Sequence, residues 1–238
     1  MYHLSVIGSV GPPERYLESI DGWFKNIQTQ TIFKLTEHII VYAKWHEIFD
    51  KYTHLKNVKF IEETGKGVYN AWNQGIRAAT TDIVTNWNID DRRTIRANEK
   101  KLIVLHKDKT VGLVYNWANV TSKENDDPEI PEGMWRKFQW LRPEDPNWKR
   151  FCQCGPDPMW RKKYHDEVGY FDGEEFPVAA DWDMWMKLYH LPVKFHLIQE
   201  ELCLYYLNPE GNSTSEEGKK LNKIDDEKIL KKYGVTNE

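Results

Sequence analysis

A chain of 238 residues, 40% hydrophobic and 29% charged, is long enough to bury a sizeable core and has the composition of an ordinary soluble globular protein. Its formal net charge of −4 excludes a nucleic-acid binder that relies on bulk positive charge, and a diphosphate bound by such a chain must be neutralised locally, which favours a metal ion. Cys152, Cys154 and Cys203 give no disulfide framework and fit a reducing compartment, and Cys152-Gln-Cys154 lacks the second ligand pair of a zinc site.

The chain opens on a strand, Leu4 to Ser9, with no charged leader and no long apolar stretch, so neither a signal peptide nor a membrane span is expected and the predicted location is the cytoplasm. Gly11-Pro-Pro13 turns it into a helix over Glu14 to Ile27, with Leu17, Ile20, Phe24 and Ile27 at helical spacing. A strand over His38 to Tyr42, a short helix over Trp45 to Tyr52 and a strand over Val58 to Ile61 follow. The Gly65-Lys-Gly67 loop then feeds a helix whose Val68, Trp72, Ile76 and Ala79 share one face. A fourth strand, Ile83 to Trp87, runs into Asn88-Ile-Asp-Asp91. This alternation predicts an α/β fold with parallel strands and a single domain.

The second half is less regular. A helix over Ile95 to His106 leads to a strand, Val111 to Tyr115, and then to a polar, Pro-rich surface loop from Thr121 to Pro146. Helices are expected over Pro158 to Glu167 and Ala180 to Tyr189, strands over Val193 to Leu197 and Leu202 to Leu207, and a lysine-rich surface helix over Glu216 to Tyr233.

Asp90 and Asp91 are the first candidates for chemistry. Two carboxylates at the end of a buried strand supply the oxygen ligands that a divalent cation takes, although Asp91 also suits the cap of a following helix. Asp181 and Asp183 come next. Two residues apart on a helix is about 200°, so they face different ways. Asp183 has Lys187 at i+4, a surface pair, whereas Asp181 has Met184 and Trp185 at i+3 and i+4 and no local cation. Its pKa is expected to rise toward that of a general base, and it also suits a helix N-cap. Lys66 and Arg161-Lys-Lys163 are either phosphate contacts or solvated charges. The 11 tryptophans and 12 tyrosines suit a sugar or nucleotide site as well as a core. Neither a Gly-x-x-x-x-Gly-Lys-Ser/Thr loop nor a Gly-x-Gly-x-x-Gly follows the first strand, which argues against P-loop hydrolysis and dinucleotide redox chemistry.

In order and spacing, these segments resemble the family 2 glycosyltransferases of the GT-A fold over roughly residues 3 to 210. Gly67 to Ile76 is similar to that family's Gly-Ile-Tyr-Asp-Ala-Met-Asn-Lys-Gly-Ile segment, and Asn86 to Asp91 to its strand ending in an Asp-x-Asp type metal motif. Val168-Gly-Tyr-Phe-Asp172 followed by Ala180 to Lys187 is similar to its Gly-Gly-Phe-Asp and Glu-Asp-Tyr-Asp-Leu-Trp-Leu-Arg pair. Asn70, Asn88 and Ala180 stand where the family has acids, and Tyr42-Ala-Lys44 replaces a base-reading Asp-Asp-Gly-Ser.

The resemblance implies a Rossmann-like mixed sheet and an inverting transfer from a nucleotide-diphosphate sugar, UDP favoured, to a hydroxyl of a glycan acceptor. In that reading Asp90 and Asp91 hold Mn²⁺ or Mg²⁺, Asp181 is the base, and Ser9, Val10, Tyr42, Lys66, Asn70 and Asp90 form the nucleotide pocket. Residues 1 to 116 would bind the donor and residues 117 to 238 the acceptor, with acceptor choice in the 117–150 loop and near Asn208 to Ser213. Two other classes stay open. A carbohydrate-binding relative without activity is supported by the tryptophan content and the missing acids, and opposed by the retention of Asp90, Asp91 and Asp181. A sugar-1-phosphate nucleotidyltransferase is disfavoured because Ser9 to Pro13 carries no basic residue.

Overall fold

The computed structural model describes residues 2–235. In chain order they form β1 (Leu4–Val10), α1 (Leu17–Thr29), β2 (Thr36–Tyr42), β3 (Val58–Glu62), α2 (Val68–Ala78), β4 (Ile83–Asn86), β5 (Arg92–Arg93) and α3 (Ala97–Lys107). The second half adds β6 (Val111–Thr121), β7 (Met134–Phe138), β8 (Met159–Arg161), the single turn α4 (His165–Val168), α5 (Ala180–Tyr189), β9 (Lys194–Tyr206) and α6 (Glu216–Lys232). Among the described residues no helix is long and apolar enough to cross a membrane.

All nine strands join one mixed sheet in the order β3-β2-β1-β4-β8-β6-β9-β5, with β7 added to β6. The first four are parallel, as the α/β alternation predicts. β8 enters antiparallel between β4 and β6 and joins the regular half to the irregular one.

Side chains alternate across a strand, so each strand feeds two cores. Leu4, Val6 and Val10 of β1 pack with Ile40 against Ile20, Trp23, Phe24 and Ile27 of α1 and Leu102 and Leu105 of α3. Ile7, Ile39 and Val41 face the other way, onto Tyr69, Trp72 and Ile76 of α2 and Trp182 and Trp185 of α5. Gly75 lets α2 lie on β1, since a Cβ there would stand 2.5 Å from Ile7 Cγ2. Gly67 enters that helix at φ 93°, a conformation that disfavours a side chain.

Several expectations need correction. Pro12-Pro13 hold a separate 3₁₀ turn, Pro13–Arg15, so α1 begins only at Leu17. The Trp45 to Tyr52 helix is a 3₁₀ helix, Glu47–Tyr52. The stretch from Pro158 to Glu167 is not one helix: its first residues pair with β4 and β6 as β8, and a 3₁₀ turn and α4 follow. The 121–146 loop contains β7, paired to β6. The two predicted C-terminal strands are one, β9, whose pairing with β6 shifts register around Trp117.

A buried ion cluster binds the two halves. Asp157, just before β8, accepts from Lys101 of α3 and lies 3.4 Å from Arg93 of β5, all three side chains being at most 2% exposed. Burial and the neighbouring Arg93 pull the Lys101 pKa down to about 8.

Candidate active site

A cavity of about 1110 Å³ opens at the carboxyl ends of β1 and β4, where an open α/β sheet presents its ligand crevice. Ser9 lines it from β1, Lys66 from the loop before α2, Asp90 from beyond β4 and Asp181 from the first turn of α5. The cavity thus brings together four of the eight residues picked from the sequence.

The other four lie behind its wall. Val10 is 1% exposed and packs in the α1 layer, and Tyr42, its register partner on β2, turns the same way onto Trp45 and Phe49. Both follow from alternation: one residue past Ser9 and Val41 the side chain is on the other face. Asn70 sits against Gly65 and donates to Glu63, so it braces the lining loop from outside. Asp91 is 2% exposed, with Oδ1 accepting from Tyr206 N at 3.0 Å and Oδ2 from Asn88 Nδ2 at 3.1 Å. It holds β9 and Asn88 rather than facing the cavity.

That arrangement leaves Asp90 as the accessible acid of the pair. Its Oδ2 accepts from Asn208 Nδ2 at 3.1 Å. The neighbouring Arg92 directs its guanidinium at the carbonyls of Ser19, Ile89 and Asp91 and at Asn125. Burial raises the pKa of Asp90 above the usual carboxylate range, and burial together with the charge of Asp90 raises that of Asp91 further.

Asp181 is partly buried at the start of α5, inside the helix rather than at its N-cap, which is Ala179. Tyr69 OH donates to Val178 O at 2.6 Å and to Asp181 Oδ1 at 3.1 Å, and Cys152 Sγ lies 3.8 Å from Asp181 Oδ2. Burial raises the Asp181 pKa, as its apolar neighbours predict, while the Trp182 amide and Tyr69 hydroxyl work against the rise. Asp183 points away, as the helical spacing requires, but it is not a surface residue. It is fully buried, held by Lys187 at 2.8 Å, Lys232 at 2.9 Å and Tyr233 OH at 2.8 Å.

Of the cationic cluster Arg161-Lys-Lys163, the first two are tied to backbone carbonyls and Lys163 is exposed, over the Tyr164 ring. Arg161 donates to the carbonyls of Val111, Leu105 and Asp108, and Lys162 to that of Ala79.

The cavity also gathers Glu63, Arg136, Asn208, Asn222 and Asp226, none of them singled out individually from the sequence, and Cys152, which the sequence offered only as a rejected zinc ligand. Arg136 and Phe138 line it from alternate positions of β7, a two-residue period readable once a strand is recognised there. Asn222 and Asp226 are i and i+4 on α6. The 117–150 and 208–213 segments both supply lining residues, Arg136 and Asn208 among them.

No protein-family model and no curated protein matches the chain. Solved structures do. TarS of S. aureus, in complex with UDP-GlcNAc, superposes with a TM-score of 0.70 at 14% identity over 97% of this chain and 71% of that one. TarS 1-349 in complex with UDP gives 0.68 at 15% identity over 97% and 70%. The mannosyltransferase PcManGT of Pyrobaculum calidifontis, in complex with GDP-Man and Mn²⁺, gives 0.64 at 17% identity over 89% of this chain, which spans 59% of that one. The fold is the GT-A fold, a mixed α/β sheet with helices on both faces.

Proposed function

We propose that the chain is a glycosyltransferase that moves a sugar from a nucleotide diphosphate, UDP favoured, to an acceptor hydroxyl with inversion. The observation that carries this reading is one large cavity at the strand ends lined by both a part-buried acid after β4, Asp90, and a carboxylate of raised pKa on α5, Asp181. The structural neighbours include complexes with UDP, UDP-GlcNAc and GDP-Man with Mn²⁺, which supports a nucleotide-sugar donor.

The donor set fits a hard cation completed by substrate. Among the described residues no group of three His, Cys, Asp or Glu side chains is placed to hold an ion alone. Magnesium-like sites commonly use one or two carboxylates and take their other ligands from phosphate and water. Asp90 would hold Mn²⁺ or Mg²⁺, with the Asn88 side-chain oxygen beside it, since Asn88 Nδ2 is committed to Asp91. Bound there, the cation supplies Lewis-acid neutralisation of the departing diphosphate.

Asp181 acts on the acceptor. Its carboxylate accepts the hydroxyl proton as the acceptor oxygen bonds to the anomeric carbon, and the bond from that carbon to the phosphate oxygen breaks with its electron pair on the nucleoside diphosphate. Tyr69 and Cys152 orient the carboxylate from opposite oxygens. Lys66 adds positive charge at the loop, and Asp91 keeps Asn88 and Tyr206 in place.

Release of nucleoside diphosphate from a panel of UDP-, GDP- and dTDP-sugars tests the proposal. General-base help is worth about 10²–10⁴-fold, so Asp181→Asn is expected to lose that scale of rate with donor affinity unchanged. Near-full activity in that variant would refute the assignment of the base.

A further inference from the structure

Helix α6 reads from sequence as a lysine-rich surface helix, yet one side of it enters the cavity. Asn222 and Asp226 line the cavity together with Asp181, Trp140 and Trp182. Asn222 Nδ2 donates to Asp226 Oδ2 at 3.1 Å, which fixes the pair and leaves Asn222 Oδ1 and Asp226 Oδ1 for a ligand.

The helix is locked to the element that carries Asp181. Asp225, 1% exposed, accepts from the amides of Val178 at 2.8 Å and Ala179 at 3.2 Å, the two residues that lead into α5. At the far end Lys232 and Tyr233 hold the buried Asp183. Asn222 and Asp226 are therefore placed relative to Asp181 by two separate anchors.

Asp181 and Asp226 put two carboxylates at this end of the cavity, while Arg136 of β7 and Lys66 line it elsewhere. Asp226 feels the carboxylates of Asp225 and Asp181, and burial with those two charges pushes its pKa up to about 6. Three of the six lysines of α6 are turned to other partners: Lys219 to Glu216, Lys228 to the Glu175 carbonyl and Asp225, and Lys232 to Asp183 and Glu175. Trp182 is 3% exposed and lines the same cavity beside Trp140. An amide oxygen, a carboxylate oxygen and flat indole faces are the chemistry that recognises sugar hydroxyls, whose O–H groups donate to both oxygens. A phosphate placed there would meet like charge at short range.

We infer that Asn222 and Asp226 form the acceptor subsite and select a neutral or amino-bearing sugar over a phosphorylated one. The inference rests on the glycosyltransferase reading, because it is Asp181 that makes this end of the cavity the acceptor end.

Saturation-transfer NMR on the full chain, with UDP and diamagnetic Mg²⁺ present, tests it using methyl glucoside, the methyl glycoside of glucosamine, and glucose 6-phosphate. The two uncharged or cationic sugars should give signal and glucose 6-phosphate none. Asp226→Asn should weaken glucosamine glycoside binding about tenfold or more, the scale of one hydrogen bond to a charged group, and let glucose 6-phosphate bind. Asn222→Ala should weaken both methyl glycosides. Equal binding of the phosphorylated sugar by the unaltered protein, unchanged selectivity in Asp226→Asn, or no signal from any sugar would overturn the inference. The melting shift given by UDP is recorded on the same samples. If it persists while sugar selectivity fails, the subsite alone is wrong; if it is absent, the transferase reading falls as well, and its presence in the variants confirms that they are folded.

Discussion

Asp181 has a hydroxyl on one oxygen and a thiol near the other, and the two donors act against the burial that raises its pKa. A base must be ionised, so transfer should fall as pH drops through this raised pKa, placing the acid limb of the rate profile above that of an ordinary aspartate. Tyr69→Phe removes a donor to the charged form. The pKa of Asp181 then rises further and the acid limb moves to higher pH, which a kcat–pH profile will reveal. An unmoved limb would mean that Tyr69 serves only the Val178 carbonyl. Asp90 and Asp91 carry a related lesson. Adjacent acids were legible in the sequence, but which one faces the cavity was not, because Asp91 finds its partners in Tyr206 and Asn88, and Tyr206 is distant in the chain.

At the scale of elements, β1, β2, β4, α2 and α5 were readable because their apolar periods and loop residues agree. Their faces were harder to read: Val10 and Tyr42 sit at strand ends as expected, yet on the side that packs against the α1 layer. β8 was misread as helix since three residues, Met159 to Arg161, show too little of either period and are fixed by pairing to β4 and β6. The cavity side of α6 was invisible for a different reason. The residues it buries are Gly218, Asp225 and Ile229, so it shows no apolar stripe, and its anchor is a carboxylate on backbone amides of α5. Long-range ion pairing also joins α3 and β5 to the segment before β8. Asp157→Asn leaves Arg93 and Lys101 buried beside each other without their shared anion, and breaking a buried pair costs about 3–5 kcal/mol. Urea unfolding should show a loss of that order, and a loss under about 1 kcal/mol would mean that the amides and carbonyls around them suffice.

Taken whole, the molecule is a parallel α/β half joined through β8 to a second half built on β6, β9 and α6, with the cavity drawing its walls from both. The resemblance between the motifs and the family 2 glycosyltransferases anticipated the fold, and the TarS and PcManGT structures share it at 14–17% identity. What neither motif nor fold specifies is the cavity wall where β7, the 208–213 segment and α6 converge. The central claim is that this cavity binds a nucleoside diphosphate through a cation at Asp90, and melting curves with UDP, with and without Mn²⁺, test it most directly. A ligand at a hundred times its Kd stabilises the native state by about 2.7 kcal/mol, roughly 5–10 °C for a chain of this size. The account predicts such a shift with Mn²⁺ and UDP together, retained in Asp181→Asn and lost in Asp90→Asn. No shift with millimolar UDP and Mn²⁺, or the same shift in Asp90→Asn, would contradict it.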